Sequence, residues 1–243
     1  MLKKSLLFYN LYPKNRWKGI TKSLLSNIPH DDIIVHITLT PWTRIQLKLI
    51  QKELKKYPKI KQIIYSFNDK KLGEVRGFQK LKEEIDLKDY QLLTYIHSKG
   101  SSKKRKDTQA TRDWTEMMRY FVVENLRKAQ EVFAKGYYLY GVNLTTHIYS
   151  NDTEKLNQPK TNFIYPGNFI TINLDALRES FLQTQCHLDY YGVERFWGRL
   201  CSLEKAYSAY ESHIVNHYEN VHPAHLYKPT SENTTNPDSN APE

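Results

Sequence analysis

The chain has 243 residues, a formal charge of +10 at pH 7, 40% hydrophobic residues and 26% charged ones. That balance supplies a core of its own and excludes a disordered chain, and two cysteines are too few to staple a small secreted scaffold. No apolar run approaches the ~20 residues a membrane-spanning helix needs. The start, Met1-Leu-Lys-Lys-Ser-Leu-Leu-Phe-Tyr9, runs into Tyr12-Pro13-Lys14-Asn15-Arg16 with no small-residue cleavage site, so it reads as a buried strand and not as an export signal.

Leu6–Tyr9 is the first predicted strand. Trp17, Ile20, Leu24 and Ile28 recur at helical spacing and stop before Pro29, which predicts a helix over residues 15–28. Ile33–Leu39 is β-branched and reads as strand two, followed by a helix over 43–56 with Ile45, Leu49, Ile50 and Leu54 on one face. Ile60–Phe67 is strand three, Phe78–Ile85 a short helix, and Gln91–His97 strand four. Strands that alternate with helices imply a parallel sheet with crossover helices, and such sheets bind ligands beyond the carboxyl ends of their strands. The second half is expected to hold a long amphipathic helix over Asp113–Phe133, with Asp113 able to cap it, and a strand over 137–144. A polar loop over 151–162, a strand over 168–173, a helix over 174–182 and a mostly helical stretch over 192–213 follow. From about Tyr227 the composition turns to Ser, Glu, Asn, Thr, Pro and Asp, which predicts a disordered tail.

Four segments carry residues suited to chemistry. Tyr95-Ile-His-Ser-Lys-Gly100 sets His97, Ser98 and Lys99 at the end of an apolar strand, where Lys99 can neutralise a phosphate oxygen and Gly100 lets backbone approach a ligand. A strand leaving the core into a basic loop gives the same letters. After strand three, Asn68, Glu74 and Arg76 precede a helix. Arg76 can clamp a diphosphate and Glu74 can fix a hydroxyl, or the two can form a plain surface pair. Tyr165-Pro-Gly-Asn-Phe169 is a turn in which Gly167 permits close approach and Asn168 both donates and accepts. In Gly192-Val-Glu-Arg-Phe-Trp197, Glu194 is either a base among aromatic residues or a carboxylate serving a helix N-terminus, with Phe196 and Trp197 in the core. The late histidines, His213, His217, His222 and His225, are spaced 4, 5 and 3 apart and interrupted by Pro223, a poor pattern for a metal site. No metal ligands are assigned.

Taken in order, these segments resemble a family of bacterial, phage and large-virus chains. Its pattern includes an early Asn-x-Trp, a Tyr-[Ile/Leu]-His-[Thr/Ser]-Lys-Gly motif, Asp-Trp-Arg-x-x-Met-x-Tyr-Phe-x-x-Glu, Gly-Val-Asn and a late Glu-x-[Phe/Trp]. Here they stand as Asn15-Arg-Trp17, Gly73-Glu74, Tyr95–Gly100, Asp113–Glu124, Gly141-Val-Asn-Leu144, Tyr165–Phe169 and Glu194–Trp197. The family is similar to GT-A-type glycosyltransferases and more distantly to rhamnan synthesis protein F. The resemblance implies a Rossmann-like, mostly parallel α/β sheet in a single domain over 1–226. Residues 1–100 would form its nucleotide-binding half, residues 101–226 its acceptor half, and 227–243 a tail. It implies transfer of a sugar from a nucleotide-sugar donor to a glycan, polysaccharide or lipid-linked acceptor.

In most GT-A enzymes Asp-x-Asp at the end of strand four holds a divalent metal, and here His97-Ser-Lys99 takes that place, so Lys99 with Arg76 or His97 is expected to stabilise the leaving diphosphate without a cofactor, the alternative being His97 as one ligand of a divalent metal. The expected contacts are Tyr9 and Trp17 at the base and Asn68, Glu74 and Arg76 at the nucleoside diphosphate. His97, Ser98, Lys99 and Gly100 would hold the phosphates, and Gly167, Asn168 and Glu194 would face the acceptor, with Glu194 as base if the reaction inverts. Pro166, Ile170 and Thr171 depart from the family's usual residues and leave the acceptor's identity open. The two cysteines, Cys186 and Cys201, fit a reducing compartment, so the chain is expected in the cytoplasm or at the inner face of the membrane, drawn to anionic lipid by its basic surface. The rival readings are a nucleic-acid-binding module using Lys103–Lys106, which lacks any reader motif, and an inactive transferase-like protein.

Overall fold

The structure is a computed structural model that describes residues 3–101, 108–146 and 161–229. One seven-stranded sheet runs through it in the order β3-β2-β1-β4-β6-β5-β7. The strands are β1 (Lys4–Leu11), β2 (Asp32–Leu39), β3 (Ile60–Phe67), β4 (Tyr90–His97), β5 (Leu139–Gly141), β6 (Ile170–Asn173) and β7 (Ala206–Ser208). Strands β1 to β4 are parallel to one another; β6 is antiparallel to both β4 and β5. The α/β class and the mostly parallel sheet agree with the sequence reading.

The central strands are apolar on both faces because helices cover both. From Ser5 to Leu11 β1 is buried throughout, and β2 is buried up to Thr38. Strand β3 lies at the edge and turns Lys61 and Gln62 to solvent, charged and polar residues that discourage edge-to-edge pairing. The helices in the first half are α1 (Trp17–Leu24), α2 (Pro41–Ile45), α3 (Leu47–Leu54) and α4 (Val75–Glu84). The helix predicted over 43–56 starts earlier and is broken in two. Thr40 caps it with a reciprocal bond to Thr43, Pro41 fits the first turn, and Gln46 leaves helical geometry at φ −89°, ψ 3°.

The second half departs further from expectation. The long helix is three pieces: α5 (Gln109–Met118), a π-helical turn (Arg119–Glu124) and α6 (Leu126–Ala134). Its cap is Thr108 and not Asp113, whose carboxylate accepts from the His222 backbone N–H at 3.1 Å. The π turn carries buried Arg119, which pairs with Glu124 and donates to the Ser26 carbonyl at 2.7 Å, tying this region to the end of α1. Helix α7 (Leu174–Gln183) follows β6 as expected. The stretch 192–213 is not mostly helical. Only α8 (Gly192–Phe196) and two 3₁₀ turns form, and Ala206–Ser208 becomes a sheet strand beside β5.

The folded body also continues past Tyr227. That ring stacks on His222 at 5.7 Å, and Lys228 pairs with Glu116 at 2.7 Å. The rest of the predicted tail, most of the predicted polar loop and the Lys103–Lys106 run lie outside the described residues. Among the described residues no helix is long and apolar enough to cross a membrane.

Candidate functional site

Strands β2 and β3 lie on one side of β1, and β4 lies on the other. Chain connections therefore diverge between β1 and β4, and that divergence opens a crevice beyond their carboxyl ends. The cleft sits there in two adjoining chambers. The outer one is lined by Tyr12, Lys14, Asn68, Lys70, Ser98 and Gly100, among others. The inner one, about 340 Å³, is lined by Trp114, Pro166, Gly167, Asn168 and Glu194, among others. Glu74, His97, Lys99 and the rings of Tyr190, Tyr191 and Tyr218 border both.

Glu74 is the hub. Its Oε1 lies 2.7 Å from His97 Nδ1, and its Oε2 accepts from the Tyr95 hydroxyl at 2.9 Å and the Asn168 amide at 2.8 Å. Burial works against the charged form, yet His97 and these donors together hold the carboxyl below its ordinary range. The other ring nitrogen of His97 donates to the Gly167 carbonyl at 2.9 Å. Both ring nitrogens of His97 are thus engaged, one by a carboxylate and one by a carbonyl, which fixes the plane of the ring. The carbonyl is aimed by an unusual turn: Gly167 has φ 92° and Asn168 has φ 62°. A Cβ on Gly167 would meet Met118 Sδ at 2.4 Å, so neither the dihedral nor the space admits a side chain. The Asn168 carbonyl oxygen accepts from Trp197 Nε1, which leaves that amide fully engaged.

The network continues through the sheet. Register sets Asn10 beside both His36 and His97, so the three side chains form one row across β2, β1 and β4. Asn10 donates to the Tyr95 hydroxyl at 3.1 Å, while its carbonyl oxygen lies 2.8 Å from His36 Nδ1, and His36 Nε2 lies 2.8 Å from Ser66 Oγ. Burial, with Lys80 nearby, pushes the His36 pKa down to about 3, so the ring is neutral. Neutral His36 then donates from Nδ1 to Asn10 and accepts the Ser66 hydroxyl proton at Nε2. Gly77 on α4 makes room for this pair: a Cβ there would come within 2.4 Å of His36 Nδ1 and 2.9 Å of Asn10 Oδ1.

Lys99 is buried, with its ammonium 3.7 Å from the Trp114 ring centroid and 5.2 Å from that of Tyr218. Its backbone N–H donates to the His97 carbonyl at 2.8 Å, and its ammonium is held by the two rings. Burial pushes its pKa down to about 8, against the pull of Glu194 and Glu74. Glu194, at the start of α8, is pushed up by burial, with Lys99 opposing and the Gly167 N–H bonding to it. The inner chamber therefore holds a buried cation and a carboxylate with raised proton affinity in one small space.

The placement of the expected residues divides them. Glu74, His97, Ser98, Lys99, Gly100, Asn68, Gly167, Asn168 and Glu194 all border the cleft. Tyr9, Trp17 and Arg76 do not. Tyr9 points into the core and shares a 2.9 Å hydrogen bond with Thr21, and Trp17 is buried among the apolar residues of the same cluster. Their aromatic surface seats α1 on the sheet, which corrects the expectation that they border a base. Arg76 faces solvent 3.9 Å from Asp69, so it makes a surface pair but not with Glu74, whose oxygens are taken by His97, Tyr95 and Asn168. Ser98 Oγ accepts from the Tyr12 backbone N–H at 2.8 Å and lies 3.1 Å from Ser101 Oγ, so it shapes the loop after β4. Phe196 and Trp197 are core, as expected. His217 stacks on Trp114 at 4.7 Å and backs the lysine's aromatic wall.

Sequence reasoning missed Asn10, His36 and the cleft's three tyrosines. A polar residue inside an otherwise buried apolar strand was the available signal for the first two.

A divalent ion of the Asp-x-Asp kind does not fit the residues at the end of β4. Glu74 has both oxygens engaged, and the same chamber is lined by the cationic Lys99. Among the described residues no three His, Cys, Asp or Glu side chains cluster as metal ligands. No protein-family model matches the chain, and the comparison with curated proteins returns no match.

Proposed function

We propose that the chain is a glycosyltransferase that takes its sugar from a nucleoside diphosphate donor. The observation that carries this reading is that Lys99 and Glu194 both line an inner chamber adjoining a second, cationic one at the sheet's switch point. The outer chamber suits a nucleoside diphosphate, with Lys14 and Lys70 for its charge and Tyr190 or Tyr191 for the base. The inner chamber suits the transferred sugar and the acceptor hydroxyl.

In an inverting transfer the acceptor oxygen bonds to the anomeric carbon as the bond from that carbon to the diphosphate oxygen breaks. The departing electron pair stays on the diphosphate, and the hydroxyl proton passes to Glu194, whose proton affinity burial raises above that of an ordinary carboxylate. Lys99 stabilises the developing negative charge on the leaving group. His97, with both nitrogens engaged, acts through the geometry it imposes on Glu74 and Gly167. It is a positioning residue in this scheme.

The test is a calorimetric screen of uridine, guanosine and thymidine diphosphates and their sugars, followed by hydrolysis and transfer assays. One nucleotide should bind at micromolar affinity and its sugar should turn over, with activity unchanged by EDTA. Binding without any turnover would leave the inactive transferase reading, and binding of none would remove the donor site.

A further inference from the structure

Trp42, Ile45 and Leu49 on α2 and α3 are 66%, 79% and 64% exposed, and Phe67 at the carboxyl end of β3 is 65% exposed. The opposite side of the same helices is buried through Thr43, Ile50 and Leu54. The Arg44 guanidinium lies 5.6 Å from the Phe67 ring centroid and links helix to strand end. Isolated exposed apolar residues are ordinary, but four large ones on one rim mark an interaction surface.

The neighbours of this patch identify its partner. Arg44, Lys48 and Lys52 are exposed on the same two helices, whose one acidic residue, Glu53, is bound to Lys56 at 2.8 Å. A second copy of the face would set these cations against one another in a two-fold contact. A short helix pair with a protruding tryptophan, aliphatic tips and a cationic fringe has the composition of an interfacial membrane anchor. The geometry points to α2 and α3 as a docking face for an anionic lipid surface, with Trp42 and Ile45 entering the headgroup region.

The face stands on the same rim as the cleft. Helix α2 begins just past the end of β2, and Thr38 and Asn68, beside β2 and β3 ends, line the outer chamber. A docked molecule therefore carries its cleft close to the headgroups. On the transferase reading this selects a lipid-linked acceptor; the docking itself does not depend on that reading.

Fluorescence tests the docking without any activity assay. Of the four tryptophans, Trp17, Trp114 and Trp197 are buried, so Trp42 is the reporter. The full chain should float with vesicles of phosphatidylcholine containing about one-third phosphatidylserine, and brominated acyl chains in those vesicles should quench its emission. Trp42→Phe should still float while losing the quenching. Lys48→Glu with Lys52→Glu should weaken partition at least tenfold, since each cation near such a surface is worth about 1 kcal/mol. Absence of quenching in the native chain overturns the proposal, whether or not the chain floats. So does unaltered partition of the double Glu variant, or self-association that Trp42→Phe abolishes in lipid-free solution.

Discussion

In the outer chamber Lys14 and Lys70 stand in solvent, whereas in the inner chamber Lys99 is buried against Trp114 and has lost some of its hold on its proton. The same side-chain chemistry serves two purposes. Exposed cations are screened and hydrated, so they attract an anion and contribute little once it is bound. A buried cation has already lost most of its water, so a developing anion finds it without reorganisation. The inner charge is costly to hold, and the packed row from Ser66 to His97 supplies the rigidity that keeps Glu74 and Gly167 around it.

The contrast breaks first at Lys99. Lys99→Met keeps the aliphatic stem and removes the charge; kcat/KM should fall about 10³-fold, a loss typical of one preorganised charge-stabilising group. Its pH profile sharpens the point. A cation with pKa about 8 is present below that pH and lost above it, so native activity should decline above about pH 8, and the variant should lose that alkaline limb. A Lys99→Met enzyme with native rate and an intact limb would locate the cationic role elsewhere.

Gly77→Ala comes next. The methyl group would press on the locked His36–Asn10 pair, and overpacking of this kind costs about 2 kcal/mol, measurable by urea unfolding. Unchanged stability would mean the row is softer than its geometry implies.

In the outer chamber, Lys14→Ala with Lys70→Ala should raise the KM for a nucleotide donor only several-fold, and added salt should erase the difference. Smallest of all is Tyr9→Phe. It should cost about 1 kcal/mol of stability through the lost bond to Thr21 and leave nucleotide affinity unchanged. A specific loss of binding in Tyr9→Phe would return that residue to the site.

The local code was clearest where burial is two-sided. Strands β1 and β2 are nearly continuous apolar runs, and even the edge strand β3 matches its predicted bounds at Ile60–Phe67. The end of β4 was legible too, because an apolar run that stops at His-Ser-Lys-Gly marks where a strand leaves the core. Trp17 and Tyr9 misled because an aromatic residue serves a core and a ligand equally well by composition. The stretch after Glu194 misled because its helical spacing ends within one turn, and β7 exists only through pairing with β5.

The order of residues along the chain was thus enough for the α/β class, the parallel half of the sheet and the position of the His97–Lys99 segment at its carboxyl edge. Those features depend on periodicity within about ten residues, which backbone sterics and burial translate directly. Which carboxylate meets His97, which amide locks Glu74 and which rings enclose Lys99 were decided by tertiary structure alone. Each is a contact between segments tens of residues apart, set by strand register and helix packing, and no local pattern carries that information.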